Sequence, residues 1–181
     1  MTGTHKVLFL RHAKTEYNVI GRITGQMNIP ILYDVVLDVL KDFNGTIYSS
    51  PLKRCKQTLE ILCPELFDSI IYDARLIERN MGIFEGEKRC EMQNKFPEYF
   101  VKGKINVFKT IPKGESYEEL YRRLLSFYLD TIAKVENDIL ICGHNHALKI
   151  LKAILFNDEI TVDYWKDNNF ENGVVYIYDI G

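Results

Sequence analysis

Short apolar runs alternate along the chain with longer segments in which apolar residues recur every three or four positions. The short runs are rich in β-branched and aromatic residues, which favours strands. These predicted strands lie at residues 6–10, 46–48, 70–72, 139–142 and 174–178. The longer segments predict helices at residues 33–43, 52–62, 116–135 and 147–156. Ser116 and Glu119 form a capping-box pattern at the start of the third helix.

The alternation of strands with helices predicts the fold class. Strands separated by helices form mostly parallel sheets, so we expect an α/β fold of three layers, α/β/α, with a mostly parallel central sheet. No repeat, linker or low-complexity tract divides the chain, and we expect a single domain over residues 1–181. In such sheets, ligands bind beyond the carboxyl ends of the strands.

Polar and charged residues follow four of the predicted strands. Arg11 and His12 stand directly after the first strand, and Arg54 lies in the first turn of the helix after the second. Glu78 comes shortly after the third strand, and His144 stands at the end of the fourth. Each of these residues alone is more often a solvated surface group. Together at one edge of a parallel sheet, they would form a site.

This set of side chains suits phosphoryl chemistry. The two arginines are planar, permanently charged donors that can grip a phosphoryl or carboxylate group with paired hydrogen bonds. An imidazole can attack phosphorus and carry the phosphoryl group covalently, while a carboxyl group can protonate the leaving alkoxide and then activate water. His144 and His146 stand two residues apart, but no further ligand pattern accompanies them, so we predict no metal site and no cofactor.

Five segments, in order, resemble the motifs of the histidine phosphatase superfamily, the phosphoglycerate-mutase-like family. The first, LRHAKTEYNVIGRITG, is similar to the family's Arg-His-Gly-x-Thr-x-x-Asn…Gly signature. The others are IYSSPLKRCKQT, LIERNMGIFEGE, PKGESYEELYRRL and ILICGHNHAL. The resemblance covers residues 6 to about 150 and implies the phosphoglycerate-mutase-like fold.

The resemblance also implies roles for individual residues. His12 would be the phosphorylated nucleophile, and Glu78 would be the general acid and then the base. Phosphoryl oxygens would be bound by Arg11, Arg54 and His144, with Asn18 as a further contact. The entry loop would be lined by Thr15, Arg22, Thr24 and Gly25. The sequence departs from the family pattern after His144, where Asn145 and His146 replace the usual glycine.

These departures bear on the substrate more than on catalysis. Asn145 could crowd the pocket or add a contact to the substrate, and His146 is expected to be a residue of the helix start. Ala13 also replaces the glycine that usually follows the nucleophile.

Several activities occur in this family, and the sequence favours a phosphatase. Mutases that resemble this chain carry a longer insertion after the glutamate, whereas here Gly114 follows Glu78 by about three dozen residues. Within the phosphatase branch, the segments PKGESYEEL and KFPEYF resemble alpha-ribazole phosphatases and broad-specificity phosphatases. We expect the segment 87–112 to form a substrate-facing cap, whose basic residues could meet a second anionic group. The alternatives are a phosphoglycerate mutase, a phosphatase of phosphohistidine or other phosphoproteins, and a catalytically silent binding module.

The composition of the chain limits the kinds of molecule that we expect it to bind. A net charge of −2 and a pI near 6.1 provide no basic footprint for nucleic acid or for an anionic membrane surface. No apolar run approaches the roughly 18–20 residues of a membrane span, and the N-terminus lacks a signal-peptide pattern. The four cysteines show no CxxC pair, which is typical of reduced thiols in a cytoplasmic protein. We expect a small-molecule phosphate ester as partner, and the sequence leaves the oligomeric state open.

Overall fold

The structure is a computed structural model that describes residues 5–180, and it contains a central five-stranded sheet and a separate two-stranded hairpin. The strands are β1 (His5–Arg11), β2 (Thr46–Ser49), β3 (Ile71–Tyr72), β4 (Phe100–Val101), β5 (Lys104–Ile105), β6 (Ile139–Gly143) and β7 (Val175–Ile180). The helices are α1 (Glu16–Ile20), α2 (Lys53–Leu62), α3 (Arg89–Lys95), α4 (Tyr117–Asp130), α5 (Asn145–Phe156) and α6 (Val162–Asp167).

The central sheet has the strand order β3-β2-β6-β1-β7. Strands β3, β2, β6 and β1 are parallel to their neighbours, and only the edge strand β7 runs antiparallel, against β1. This arrangement confirms the predicted mostly parallel sheet. All five predicted strands are present, with ends that differ from the predicted ones by a few residues at most.

Both faces of the sheet are covered, because successive residues of a strand point to opposite faces. Val7 and Phe9 of β1 belong to a core cluster with residues of α4 and α5, whereas Leu8 and Leu10 belong to a cluster with residues of α2. The three layers are therefore present as predicted. No helix in the described part of the chain is long and apolar enough to cross a membrane.

The capping box predicted for the third helix is formed. The Ser116 hydroxyl accepts from the Glu119 amide at 3.1 Å, and the Glu119 carboxylate accepts from the Ser116 amide at 2.9 Å. The helix ends at Asp130, earlier than predicted, and a 3₁₀ turn follows over Ile132–Lys134. At this end the Thr131 hydroxyl bonds to the Phe127 carbonyl, and such side-chain bonds compete with helix continuation.

The helix predicted over residues 33–43 is wrong: the segment forms no helix. The prediction relied on Val35, Val36, Val39 and Leu40, but Val36 is 89% exposed. Leu40 packs against the core together with Leu37, which the pattern did not include, and the Leu40 amide donates to the Leu62 carbonyl at 2.8 Å. β-Branched residues have low helix propensity, so a tertiary contact of two leucines outweighs the weak local preference.

The segment 87–112 contains α3 and the β4–β5 hairpin. Two contacts attach it to α6. The Trp165 indole donates to the Ile105 carbonyl at 3.0 Å, and Lys102 pairs with Asp163. The four cysteines, which are Cys55, Cys63, Cys90 and Cys142, form no disulfide with one another.

Candidate active site

The parallel pairing of β1 with β6 places the first and last predicted site residues side by side. Arg11 is in register with Gly143, and the His12 amide donates to the Gly143 carbonyl at 3.1 Å. The rings of His12 and His144 consequently lie 5.2 Å apart between centroids. These residues are separated by more than 130 positions in the sequence, so the sheet alone brings them together.

His12 is held as a neutral ring with one free nitrogen. Its Nδ1 lies 2.7 Å from the Ala13 carbonyl, which can only accept, so Nδ1 carries the proton. The Nε2 atom therefore keeps its lone pair. Burial, together with the charges of Arg54 and Arg11, lowers the pKa of His12 well below its ordinary value. The side chain is thus in the protonation state that a nucleophile requires.

Arg54 is buried in the first turn of α2. Its side chain bonds to the loop that follows α1. Its guanidinium donates to the Gly25 carbonyl at 2.8 Å and to the Met27 carbonyl at 2.7 Å. Its Nε donates to His144 Nδ1 at 3.1 Å. No carboxylate among residues 5–180 forms an ion pair with Arg54, so its charge remains available to an anion in the pocket.

His144 is enclosed behind Arg54. Because its Nδ1 accepts from Arg54, Nε2 carries the proton, and it lies 2.8 Å from the Ser50 hydroxyl. Burial and the charge of Arg54 lower the pKa of His144 well below its ordinary value. Both ring nitrogens are bonded to protein groups, so His144 orients the Arg54 guanidinium in this arrangement.

Glu78 is positioned by the start of α5. Its Oε1 accepts from the Arg79 amide at 2.9 Å and from the Ala147 amide at 3.3 Å, and its Oε2 accepts from the His146 amide at 3.3 Å. His146 is a residue of this helix start, as predicted. The first turn of α5 therefore fixes the carboxylate at the wall of the same cavity that His12 lines.

A small cavity of about 80 Å³ lies where these groups converge. Nine of the eleven predicted site residues line it: Arg11, His12, Asn18, Arg22, Thr24, Gly25, Arg54, Glu78 and Asn145. The other two, His144 and Thr15, do not. Thr15 is fully buried and caps α1 in a box with Asn18, whose side-chain oxygen accepts from Thr15 at 3.0 Å.

Some residues of the site carried little or no signal in the sequence. Met81 and Ile105 line the cavity, but apolar residues of loops and short strands have no recognisable pattern. Asn172 donates to the His12 carbonyl at 2.8 Å from a turn 160 residues away. Arg89 also lines the cavity, and only its place among the basic residues of the cap pointed to it. No cluster of three or more His, Cys, Asp or Glu side chains suited to a metal ion occurs among the residues described.

The buried histidines make stability depend on pH. The pKa values of His12, His144 and His146 all lie well below 6.5, because each ring is buried near cations. In the unfolded chain a histidine regains a pKa of about 6.5 and binds a proton below that pH. The contribution of these histidines to the free energy of unfolding is therefore fully present well above pH 6.5, and it is lost as the pH falls through and below that value. Between pH 7 and 5.5 we expect the free energy of unfolding to drop by up to about 4 kcal/mol.

Urea denaturation at the two pH values measures this loss. The variant His146→Phe keeps a ring beside Trp165, which lies 4.7 Å away, and it should reduce the loss by about a third. An equal free energy of unfolding at both pH values would contradict the expectation.

Comparison with known proteins identifies the family. A family model of the histidine phosphatase superfamily (branch 1) matches residues 7–181. The chain belongs to the histidine phosphatase superfamily. As a member, this histidine phosphatase is an enzyme of the phosphatase type, and the resemblance read from the motifs is confirmed.

Individual relatives agree with this assignment. A protein of Hydrogenobacter thermophilus named as a phosphoserine phosphatase is 28% identical over 158 residues, which are 83% of this chain and 78% of that protein. A protein of Shigella dysenteriae named as a phosphoglycerate mutase is 33% identical over 129 residues, which are 66% of this chain and 59% of that protein. The solved alpha-ribazole phosphatase of Shigella flexneri has the same fold, with a TM-score of 0.75, 19% identity, and coverage of 97% of this chain and 91% of that one.

Proposed function

We propose that this histidine phosphatase hydrolyses a small phosphate monoester without a metal ion, through a phosphohistidine intermediate on His12. One observation supports this most directly: the hydrogen bond from Nδ1 to the Ala13 carbonyl leaves the Nε2 lone pair of a cavity-lining, neutral imidazole free to attack. Arginines and a carboxylate line the same cavity, so the remaining groups that the reaction needs are within reach.

In the first step, the Nε2 lone pair attacks phosphorus and the ester P–O bond breaks. Arg11 and Arg54 offset the negative charge on the phosphoryl oxygens, and the free amide NH₂ of Asn18 can donate to them. Glu78, in its protonated form, transfers its proton to the leaving alkoxide, which departs as the alcohol. The products of this step are phosphohistidine and a glutamate carboxylate.

In the second step, the Glu78 carboxylate takes a proton from a water molecule as that water attacks phosphorus. The P–N bond breaks, and its electron pair returns to Nε2 of His12. Inorganic phosphate leaves, and Glu78 is protonated again, ready for the next cycle. His144 acts through Arg54, whose Nε it accepts from, and Thr15 acts by holding Asn18 in place.

A mutase is the second candidate, since one relative is named as a phosphoglycerate mutase. A mutase must return the phosphoryl group to the bound intermediate and keep water away from the phosphohistidine. The short stretch between Glu78 and Gly114 leaves less chain to enclose the pocket, which favours hydrolysis. A phosphoprotein substrate fits less well, because His12 is only 4% exposed and shares its small cavity with Arg89 and Ile105 of the segment 87–112.

The test is phosphate release from p-nitrophenyl phosphate and a panel of small phosphate esters in excess EDTA. We expect the same rate with and without EDTA, and an acid-labile, base-stable phosphoenzyme after rapid quenching. Loss of activity in EDTA would overturn the metal-independent mechanism. Conversion of 3-phosphoglycerate to 2-phosphoglycerate faster than phosphate release would instead favour the mutase.

A further inference from the structure

A second, larger cavity of about 620 Å³ opens beside the phosphoryl pocket. The two cavities share five wall residues, which are Arg11, Arg89, Ile105, Asn145 and His146. A substrate whose phosphoryl group lies at His12 would therefore extend the rest of its structure into the larger cavity.

The larger cavity is strongly cationic. Arg11, Lys14, Arg89, Lys104 and Lys149 line it, and Glu171 is the one carboxylate among its described lining residues. None of the five cations forms an ion pair with an acid within residues 5–180. Like charges that surround one cavity repel each other, and an anion that binds in the cavity lowers this electrostatic repulsion.

Lys149 is the least expected of these cations, because it is 1% exposed. Its ammonium donates to the Trp165 carbonyl and lies 4.6 Å from the centre of that indole ring. Burial, together with the charges of Lys104, Arg11 and Arg89, lowers its pKa to about 7, whereas Glu78 opposes the shift. A buried ammonium without a carboxylate is costly, and a carbonyl with a ring offsets that cost only in part.

Two buried polar atoms in the wall that the two cavities share lack hydrogen-bond partners within residues 5–180. His146 Nδ1 and Arg11 Nε have no hydrogen-bond partner in the described part of the chain, although both side chains line the two cavities. Buried polar groups in folded proteins are almost always paired, so unpaired ones around a charged cavity indicate that a ligand completes the site. His146 is also one of the residues that replace the usual glycine of the family.

We propose that this cavity is a subsite for a second anionic group of the substrate, held by Lys149 and Arg89. The substrate class is then a phosphate monoester that carries a carboxylate or a second phosphate. The inference rests on the proposed function, because the phosphoryl group itself occupies Arg11 and Arg54. Arg89 is the first residue of α3 and Lys149 lies one turn into α5, so two separate helices contribute the cations.

Matched pairs of esters test the proposal. 3-Phosphoglycerate and glycerol 3-phosphate differ only in a carboxylate against a hydroxymethyl group, and fructose 1,6-bisphosphate and fructose 1-phosphate differ only in the second phosphate. We expect kcat/KM to be at least about tenfold higher for the more anionic member of one pair or both. Lys149→Met and Arg89→Met should each reduce that preference to about threefold or less. In Lys149→Met the less anionic esters should react at nearly the wild-type rate, whereas Arg89→Met should also slow them, because Arg89 lines the phosphoryl pocket as well.

Lys152→Met is the matched control. Lys152 lies one turn further along α5, bonds to Asn168 at 2.7 Å and lines neither cavity, so its replacement should leave the preference unchanged. A purely structural effect would lower kcat/KM for both members of a pair equally. Equal rates within both pairs, or a preference that survives both cavity variants, would overturn the proposal.

Binding to His12→Ala separates this inference from the proposed function. That variant should bind the esters without turnover, and calorimetry can compare the two members of each pair. Tighter binding of the more anionic member would support the subsite even if the wild type hydrolysed none of them. Hydrolysis of all esters without any preference would contradict the subsite and leave the proposed function intact.

Discussion

His12→Ala is expected to lower kcat/KM for phosphate-ester hydrolysis by about 10⁴-fold or more, because the variant has no atom that can accept the phosphoryl group. Neighbouring groups cannot replace the nucleophile. His144 has both ring nitrogens bonded, to Arg54 and to Ser50, and Glu78 is held by amides at the start of α5. The measurement is steady-state hydrolysis together with trapping of the phosphoenzyme, which should disappear in the variant.

Two controls make the result specific to the nucleophile. The thermal unfolding temperature should show that the variant folds, since the residue contributes one side-chain hydrogen bond to its own neighbour. Added imidazole should restore part of the hydrolysis by occupying the space of the missing ring. Activity above about one per cent of wild type, or a phosphoenzyme in the variant, would exclude His12 as the nucleophile.

Glu78→Gln is expected to produce the second-largest loss, about 10²–10⁴-fold for esters with alkyl leaving groups, because an alkoxide needs a proton to depart. Glutamine keeps the shape, and its oxygen can still accept from the Arg79 and Ala147 amides that Oε1 now accepts from. For p-nitrophenyl phosphate the leaving group departs without a proton, so the first step should be much less affected. A burst of p-nitrophenol and accumulated phosphoenzyme should follow, since water activation in the second step is also slowed.

Glu87→Gln is the matched control for this result. Glu87 is an exposed carboxylate in the same part of the chain and lines neither cavity, so its neutralisation should change neither ester class. If Glu78→Gln slowed p-nitrophenyl and alkyl esters equally and no phosphoenzyme accumulated, Glu78 would have a structural role instead of an acid–base role.

Local patterns in the sequence were sufficient for most of the fold. Strand residues such as Val7–Leu10 of β1 are buried on both faces of the sheet, and such strands produce continuous apolar runs that are easy to recognise. The Ser116 cap was also recognisable, because a capping box involves residues only three positions apart. The segment 33–43 failed for the opposite reason: its structure depends on packing against α2, which no local pattern records.

The sequence by itself determined the five strands of the central sheet, three of the six helices and nine of the residues that line the phosphoryl pocket, because the motifs follow their own strands. Only the tertiary structure decided which of these residues line the pocket and which ones position their neighbours. Thr15 became a helix cap, and His144 became the partner of Arg54, 90 positions away. Likewise, Lys149 became a buried cation beside Trp165 and the large cavity. Such roles depend on contacts between segments that are distant in the sequence, and the spacing of residues along one segment carries no information about them.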